Sequence, residues 1–503
     1  MSKNIILILA DDLGFSDLEC FGGEAETPNL NKLASEGLLH TGMYNFARCC
    51  PSRAALLTGL YPHQTGIGHM MQNLGNKAYQ GYLNESVTIA QTLKEAGYKT
   101  AMAGKWHVGG YYDSRAEALS RMNDEAHPTP LTKGFDYFSG TLAGAGSYYC
   151  PHTLIEEGAY IIPQKGFYYT DYITEKSCEY IENLKNDKFF LYTAYTAPHY
   201  PLHAKEEIIK KYEKAYADGF SETRKKRYKR QLDTGLIDES VKLTEYDGSN
   251  WDEVENKDWE ARRMAVYAAQ IEIMDVGIGK IIKTLETNNL LSDTIIMFTS
   301  DNGGCAENIH PDYPENRFSV HEGIKTVPGN ITGLMPGDES TYQSYGKSWA
   351  NVSNTPFRRY KHFADEGGIS APLICYCKGY IPAGGKDNSI LSFVDFHETF
   401  AAIAGVKIKT EGESFLKVLL GENKKRQAPI IFEHEGNCAV RNDKYKLVKT
   451  NGCEWRLYDM QNDRSEMKDL KNALPDIYDE MKKEYHENAK RTGIIEWNKI
   501  KKQ

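Results

Sequence analysis

The 503-residue sequence predicts an α/β protein: one large, mixed but mostly parallel sheet sandwiched by helices, followed by a smaller α+β unit. Three observations predict it. Short apolar runs with little alternation recur, as expected of strands buried on both faces of a parallel sheet: "NIILILADD" from residue 4, "YKTAMAGKWHVG" from 98, "FFLYTAYTAPHYP" from 189 and "TIIMFTSDNGG" from 294. Helical patterns lie between them, such as "TPNLNKLASEG", "VTIAQTLKEAG" and "AAQIEIMDVGIGKIIKTLETNN", and strand–helix alternation reads as α/β. After about residue 410 the pattern changes to short antiparallel strands, "APIIFEHEG", "CAVRNDKYKLVKT" and "EWRLYDM", and an amphipathic helix, "LPDIYDEMKKEYHENAKRTG". The division is therefore a larger unit over 1–410 and a smaller C-terminal unit over 411–503.

Each of the four runs delivers polar residues at its carboxyl end. The first ends in Asp11 and Asp12, the second in Lys105 and His107, the third in His199, and the fourth in Asp301 and Asn302. Ligands of open α/β sheets bind at that edge, so four such ends predict an active site. Two long segments interrupt the scheme. In 204–262 the basic run "RKKRYKR", Arg224 to Arg230, is expected to be a solvated helix face. The segment 306–360, rich in Asn, Gly, Pro, Ser and Tyr, is expected to loop over the strand ends.

Composition narrows the function. A net charge of −9 argues against nucleic acid as the main ligand, and no apolar run is long enough to span a bilayer. The N-terminal run passes straight into Asp11 and Asp12 without a small-residue cleavage site, so it reads as a strand. If the chain is complete, the cytoplasm is the expected location; a periplasmic or secreted chain that had lost its signal would look the same. Ten cysteines without a repeating spacing are not a disulfide framework. Cys375 and Cys377, in "APLICYCKGY", are expected in the core.

Asp11, Asp12, Asp301 and Asn302 offer only oxygen, which suits calcium or magnesium, whereas zinc wants histidine or thiolate. Four protein oxygens plus substrate approach the roughly six to eight that calcium takes, so one calcium ion is expected, with magnesium as the alternative. An Asp-Asp pair alone would equally fit a helix cap; the second acidic strand end favours metal. In "NFARCCPSRAALLTGLYPHQTG" Pro51 suits the first turn of a helix. That puts Cys49 just before the helix, where free N–H groups favour an anion. Arg53, Lys105 and Lys361 add fixed positive charge. Such a set describes a clamp for a tetrahedral oxyanion, sulfate or phosphate.

Cys49-x-Pro51-Ser52-Arg53-x-x-x-Leu57-Thr58-Gly59 and "GYKTAMAGKWHVG" resemble the two signatures of the type I, formylglycine-dependent sulfatases, within the alkaline-phosphatase-like superfamily. "ARCCPSR", "NTPFRRYKHFADEGGI" and "EHEGNCAVR" are most similar to the bacterial arylsulfatase-like branch. The resemblance implies that Cys49 is oxidised to formylglycine by a maturation enzyme that reads Pro51 and Arg53, and that Cys50, the variable position, packs. It implies that Asp11, Asp12, Asp301, Asn302 and formylglycine 49 surround calcium, that Lys105 and Lys361 grip sulfate, and that Arg53 steadies the hydrate. One hydroxyl of the hydrate would attack sulfur while His199 protonates the leaving alcohol; the other, deprotonated with help from His107, would expel sulfate. Ser370-Ala371 stands where the pattern commonly has Arg-Val, and Arg464 where it has proline, both away from the chemistry. His434, Glu435 and Asn437, in "EHEGN", are the candidate substrate contacts by analogy. A sulfated monosaccharide or glycan end is the expected substrate, with small aryl sulfates also turned over. A phosphatase or phosphodiesterase of the same superfamily is the alternative.

Overall fold

The computed structural model describes residues 2–112, 114–314, 320–422 and 424–500. Its strands, in chain order, are β1 (Asn4–Asp11), β2 (Leu38–Tyr44), β3 (Lys99–Lys105), β4 (Tyr137–Thr141), β5 (Leu154–Glu156), β6 (Ala159–Tyr160), β7 (Phe189–Pro198), β8 (Thr294–Ser300), β9 (Val327–Pro328), β10 (Thr341–Tyr342), β11 (Ser370–Tyr376), β12 (Gly385–Asp387), β13 (Leu391–Ser392), β14 (Ile430–His434), β15 (Asn437–Arg441), β16 (Tyr445–Lys449) and β17 (Arg456–Asp459). The large sheet runs β12-β2-β11-β8-β1-β7-β3-β4-β5-β6, with β13 also on β2. Its centre, β8-β1-β7-β3-β4, is parallel throughout. Strand β11 enters antiparallel between β2 and β8, and β5 and β6 extend the far edge antiparallel. The four apolar runs are thus four adjacent parallel strands, and their carboxyl ends lie side by side.

Strand β1 shows why its sequence reads as a continuous apolar run. Ile5, Leu7 and Leu9 enter the core on one face of the sheet, while Ile6, Ile8 and Ala10 enter the core on the other. None of the six is exposed, and each fully buried Ile or Leu side chain contributes roughly 1.5–3 kcal/mol. Helices Cys49–Thr58, Ile89–Glu95 and Asp395–Ala404 cover the first face. Helices Tyr169–Leu184 and Lys257–Thr287 cover the second. Ile89–Glu95 starts where a reciprocal cap allows: Gln91 N–H donates to Thr88 Oγ1 at 3.2 Å, and Thr88 N–H donates to Gln91 Oε1 at 2.9 Å. Cys375 and Cys377 are buried, as expected. No helix among the described residues is long and apolar enough to cross a membrane.

Strands β14 to β17 form a separate antiparallel sheet in chain order, against which helix Pro475–Thr492 packs Met481, Tyr485 and Ala489. This unit is tied to the large one through buried charge. Lys446, on β16, reaches Glu366 at 2.9 Å and Glu466 at 2.8 Å. Arg464 Nε donates to Glu366 at 3.0 Å, and its NH2 reaches Thr41 O at 2.7 Å and Ser370 Oγ at 3.3 Å. Burial would raise the Glu366 carboxyl, but Lys446, Arg464 and Arg441 hold it well below the usual range. Ser370 and Arg464, the two departures from the pattern the sequence resembles, therefore touch each other.

One expectation fails. The basic run lies on helix Gly219–Asp233, but only part of it is solvated. Lys225, Lys226 and Lys229 are exposed, whereas Arg224 and Arg227 are buried. Arg227 pairs with Asp17 and Glu24, each at 2.6 Å, and Arg224 donates to Thr244 Oγ1 and to the Pro356 and Phe357 carbonyls. Apart from Thr244, 20 residues on, the partners lie some 200 residues upstream and over 100 downstream, so local spacing carries no sign of them. Breaking a buried pair strands the remaining charges, which costs about 3–5 kcal/mol. Arg227→Met should lose that much in urea unfolding, while Lys226→Met should stay within about 0.5 kcal/mol of the parent.

Candidate active site

At the end of β1 the chain turns through Asp12, whose φ of 63° lies in the left-handed region. That turn lets both carboxylates face the ends of the neighbouring strands. Asp301 N–H donates to Ala10 O at 3.2 Å, continuing the β1–β8 ladder past Ser300. Asn302 Nδ2 then donates to Asp12 Oδ1 at 2.7 Å, and Asp12 N–H donates to Asp301 Oδ1 at 3.3 Å. Arg53 comes from the opposite side: Nε donates to Asp301 Oδ2 and NH1 to Lys105 O, both at 2.9 Å. Lys105 Nζ pairs with Asp11. Lys361 Nζ is 2.8 Å from Asp12 Oδ1. His199 Nδ1 donates to Tyr200 O at 2.6 Å, which leaves Nε2 3.3 Å from Asp12 Oδ2 and 3.4 Å from Lys361 Nζ.

The helix carrying the cysteines begins at Cys49 itself, with Arg48 as an extended N-cap, so Cys49 is inside the first turn and not just before it. Its first turn still provides the positive end of the helix. Cys50 does more than pack: its Sγ is 3.4 Å from His107 Nε2 and 3.8 Å from Met70 Sδ. His107 also has a left-handed φ, 56°, and its ring lies so close to Gly144 that a Cβ there would sit 2.0 Å from Nε2.

The electrostatics suit anion chemistry. A hydrogen bond from Cys50 lowers the Cys49 thiol most; burial opposes it, and His107, Lys105 and Lys361 reinforce it, leaving Cys49 well below the usual thiol range. Burial alone would lower Lys361, yet Asp12, Cys305 and Glu307 hold it well above the usual lysine value. Burial raises Asp11 as well, but Lys105, His199 and Arg53 bring it below the usual carboxylate value. Burial and the neighbouring Asp11 push Asp301 upward. Asp11 Oδ1 and Asn302 Oδ1 are buried without a hydrogen-bond partner among the described residues. Oxygen atoms held unpartnered in a carboxylate-rich basin fit a hard divalent cation.

A cavity of about 410 Å³ opens on Cys49, His107, His199 and Lys361. Of the three candidate substrate contacts only Glu435 lines it. Glu435 and Gly436, with φ of 50° and 84°, are the two central residues of a type I′ hairpin between β14 and β15. His434 is buried behind them, and Asn437 is spent on the hairpin, donating to His434 O and accepting from Asn451 N–H. The sequence reading missed another part of the wall. There Arg48 and Tyr200 both hydrogen-bond Glu307, and His69 lies at the rim. Arg48 could have been suspected from its place just before the paired cysteines; Glu307 and His69 stand in loops whose pattern marks nothing.

The arrangement defines a hydrolase of the alkaline-phosphatase-like class, built to grip a tetrahedral oxyanion at the carboxyl edge of a parallel sheet. The sulfatase family model matches residues 3–406, and the model for the N-sulphoglucosamine sulphohydrolase C-terminal region matches residues 358–491. An uncharacterized sulfatase of Schizosaccharomyces pombe is 31% identical, over 98% of this chain and 94% of its own. The arylsulfatase of Klebsiella aerogenes is 30% identical, over 80% of this chain and 87% of its own. Among solved structures, Ps i-CgsB in complex with k-i-k-neocarrahexaose superposes with a TM-score of 0.68 at 25% identity, covering 97% of this chain and 93% of that one. BT4656 in complex with its substrate D-glucosamine-2-N, 6-O-disulfate shares the fold, with a TM-score of 0.65 at 22% identity over 99% and 100% of the two chains. The chain belongs to the sulfatase family. It is a sulfuric ester hydrolase.

Burial pushes His107 down to about 4, so its ring is neutral at neutral pH and able to accept a proton. The unfolded chain takes up that proton below about pH 6.5, whereas the folded protein resists until about pH 4. The stability held above pH 6.5 is therefore lost as pH falls through this window, by about 3 kcal/mol. In His107→Asn the slope of unfolding free energy between pH 7 and 4, measured by denaturant titration, should flatten by that amount.

Proposed function

We propose that this sulfatase removes sulfate from a sulfated sugar or glycan end, using a formylglycine formed from Cys49 and one calcium ion. The observation that carries the reading is the meeting of the polar cavity with Cys49: Lys361 and His199 line the same pocket. Asp11, Asp12, Asp301 and Asn302 would hold the calcium, which would supply positive charge toward sulfate, and the residue at position 49, as a hydrated aldehyde, would supply the attacking oxygen. The remaining work belongs to the side chains. Lys105 and Lys361 hold sulfate oxygens, and Arg53, braced by Asp301, orients the group at position 49. His199, with Nδ1 committed to Tyr200 O, presents Nε2 to protonate the leaving alcohol. His107, neutral and beside the nucleophile helix, accepts the proton when sulfate departs. Glu435, Glu307 and the tyrosines of the rim offer acceptors and donors of the kind hydroxyl-rich sugars require. The complexes of Ps i-CgsB with a neocarrahexaose and of BT4656 with a sulfated glucosamine support a carbohydrate substrate.

The test uses protein made with a formylglycine-forming enzyme and assayed for sulfate release from sulfated monosaccharides, glycan ends and p-nitrophenyl sulfate. Cys49→Ala should lose at least about 10³-fold in kcat. Chelation followed by desalting should abolish turnover, and calcium should restore it. If an aryl sulfate is hydrolysed while every sulfated sugar is refused, the carbohydrate assignment falls and the sulfatase chemistry stands.

A further inference from the structure

Beside the sulfate pocket, three loops bring together His69, His362, His434 and Glu435. His69 Nδ1 is 3.0 Å from Glu435 Oε1, and His434 Nε2 is 4.0 Å from the same oxygen. All three donor atoms lie within 4.8 Å of one another. His362 Nδ1 is 3.5 Å from the second Glu435 oxygen, and its ring stands edge-on to His434 at 5.1 Å. The His434 side chain is 1% exposed, and neither ring nitrogen has a hydrogen-bond partner among the described residues. The His69 Nδ1 contact to Glu435, although short, also lacks hydrogen-bond alignment. Two donor atoms facing one point without bonding each other are what the edge of a coordination polyhedron looks like. For ligand bonds of about 2.0–2.2 Å, a tetrahedral edge is roughly 3.3–3.6 Å, and the two measured edges, 3.0 and 4.0 Å, fall on either side of it.

Charge points the same way. The basic groups within 4.0 Å of the Glu435 carboxylate, among the described residues, are these three imidazoles. Burial, helped by neighbouring charges, holds His434 well below the ordinary histidine value, and burial lowers His362 too, which favours ring nitrogens able to bind an ion. Burial would raise the Glu435 carboxyl, but the neighbouring histidines and Arg48 hold it below the usual carboxylate value, so it offers an ionised oxygen at the same point.

We propose that His69 Nδ1, His434 Nε2 and Glu435 Oε1 bind a divalent ion of the zinc class, with His362 adjacent as a fourth donor. The site is separate from the oxygen-only set at Asp11, Asp12, Asp301 and Asn302, and its donor chemistry differs: two imidazoles and a carboxylate favour zinc, where the acidic set favours calcium. His69 and Glu435 line the cavity, so a position left open in the coordination shell would face the space in which substrate sits and could take a substrate oxygen. Glu435 would then act on substrate through the ion.

The experiment titrates Zn2+ into chelator-stripped full-length protein kept in excess calcium, with metal content counted after desalting. It is run on the mature enzyme and on Cys49→Ala, so that its outcome does not depend on whether formylglycine forms. One equivalent of zinc in both proteins is expected, and Glu435→Gln and His434→Gln should each weaken binding by about 10–100-fold or more. Because His434 is buried, unfolding curves accompany that variant; Glu435→Gln, at the hairpin tip, keeps the test valid if His434→Gln does not fold. Co2+ in place of zinc should give d–d bands without thiolate charge-transfer absorption. Strong thiolate absorption would move the ion to Cys50 and overturn the proposal, as would zinc retained in Glu435→Gln or no zinc bound while calcium binds normally.

Discussion

Charge balance without water is the constraint on which this structure depends. Asp11, Asp12 and Asp301 meet Arg53, Lys105 and Lys361 at the end of the sheet, and none of the six is more than 4% exposed. An unpaired ion in such a place costs several kcal/mol, and removing one partner strands the other. The pairs therefore stand or fall together, and they can meet only if β8, β1, β7 and β3 are neighbours in that order. Sheet topology and site electrostatics are one problem, solved by the same strands. Left-handed backbone at Asp12 and His107 adds local strain of about 1–3 kcal/mol each, which the cores on both faces of the sheet offset.

Much of this was legible because Asp11, Asp12, Lys105, His107, His199, Asp301 and Asn302 stand at the ends of apolar runs. A strand buried on both faces cannot hold Asp11, Lys105 or Asp301 in its middle, so a charge at the end of such a run marks the edge of the sheet. The small C-terminal sheet was legible for a related reason, since its strands are short and separated by turn residues. What local pattern could not supply was partnership at a distance. Arg224, Arg227 and Gln231 share one helical face with ordinary polar spacing, and nothing nearby in sequence announces Asp17, Glu24 or the Pro356 carbonyl. The sulfate-binding residues at strand ends were read from the sequence, whereas Arg48 with Glu307 and His69 comes from loops without periodicity.

The hairpin "EHEGN" shows the same limit on a smaller scale. Five adjacent residues look equally polar, but the type I′ turn divides them. Glu433 is paired with His63 at 2.8 Å, His434 is sealed behind the turn, Glu435 projects into the cavity, and Asn437 closes the loop. A two-residue turn fixes register and so decides which side chain is offered to a ligand. The C-terminal unit thereby furnishes part of the pocket wall, and its docking through Lys446 and Glu366 determines how far the tip of the hairpin reaches.

That docking has a consequence for exchanging the two units. Glu366 receives Lys446 and Arg464 from the C-terminal unit, and the Arg464 guanidinium also reaches the hydroxyl of Ser370. A chimera whose C-terminal unit carried no cation at position 464 would strip Glu366 of one of its two charged partners in a place without water. The seam is therefore inherited as a set of contacts, and a graft that keeps the fold of both units but not those side chains is destabilised.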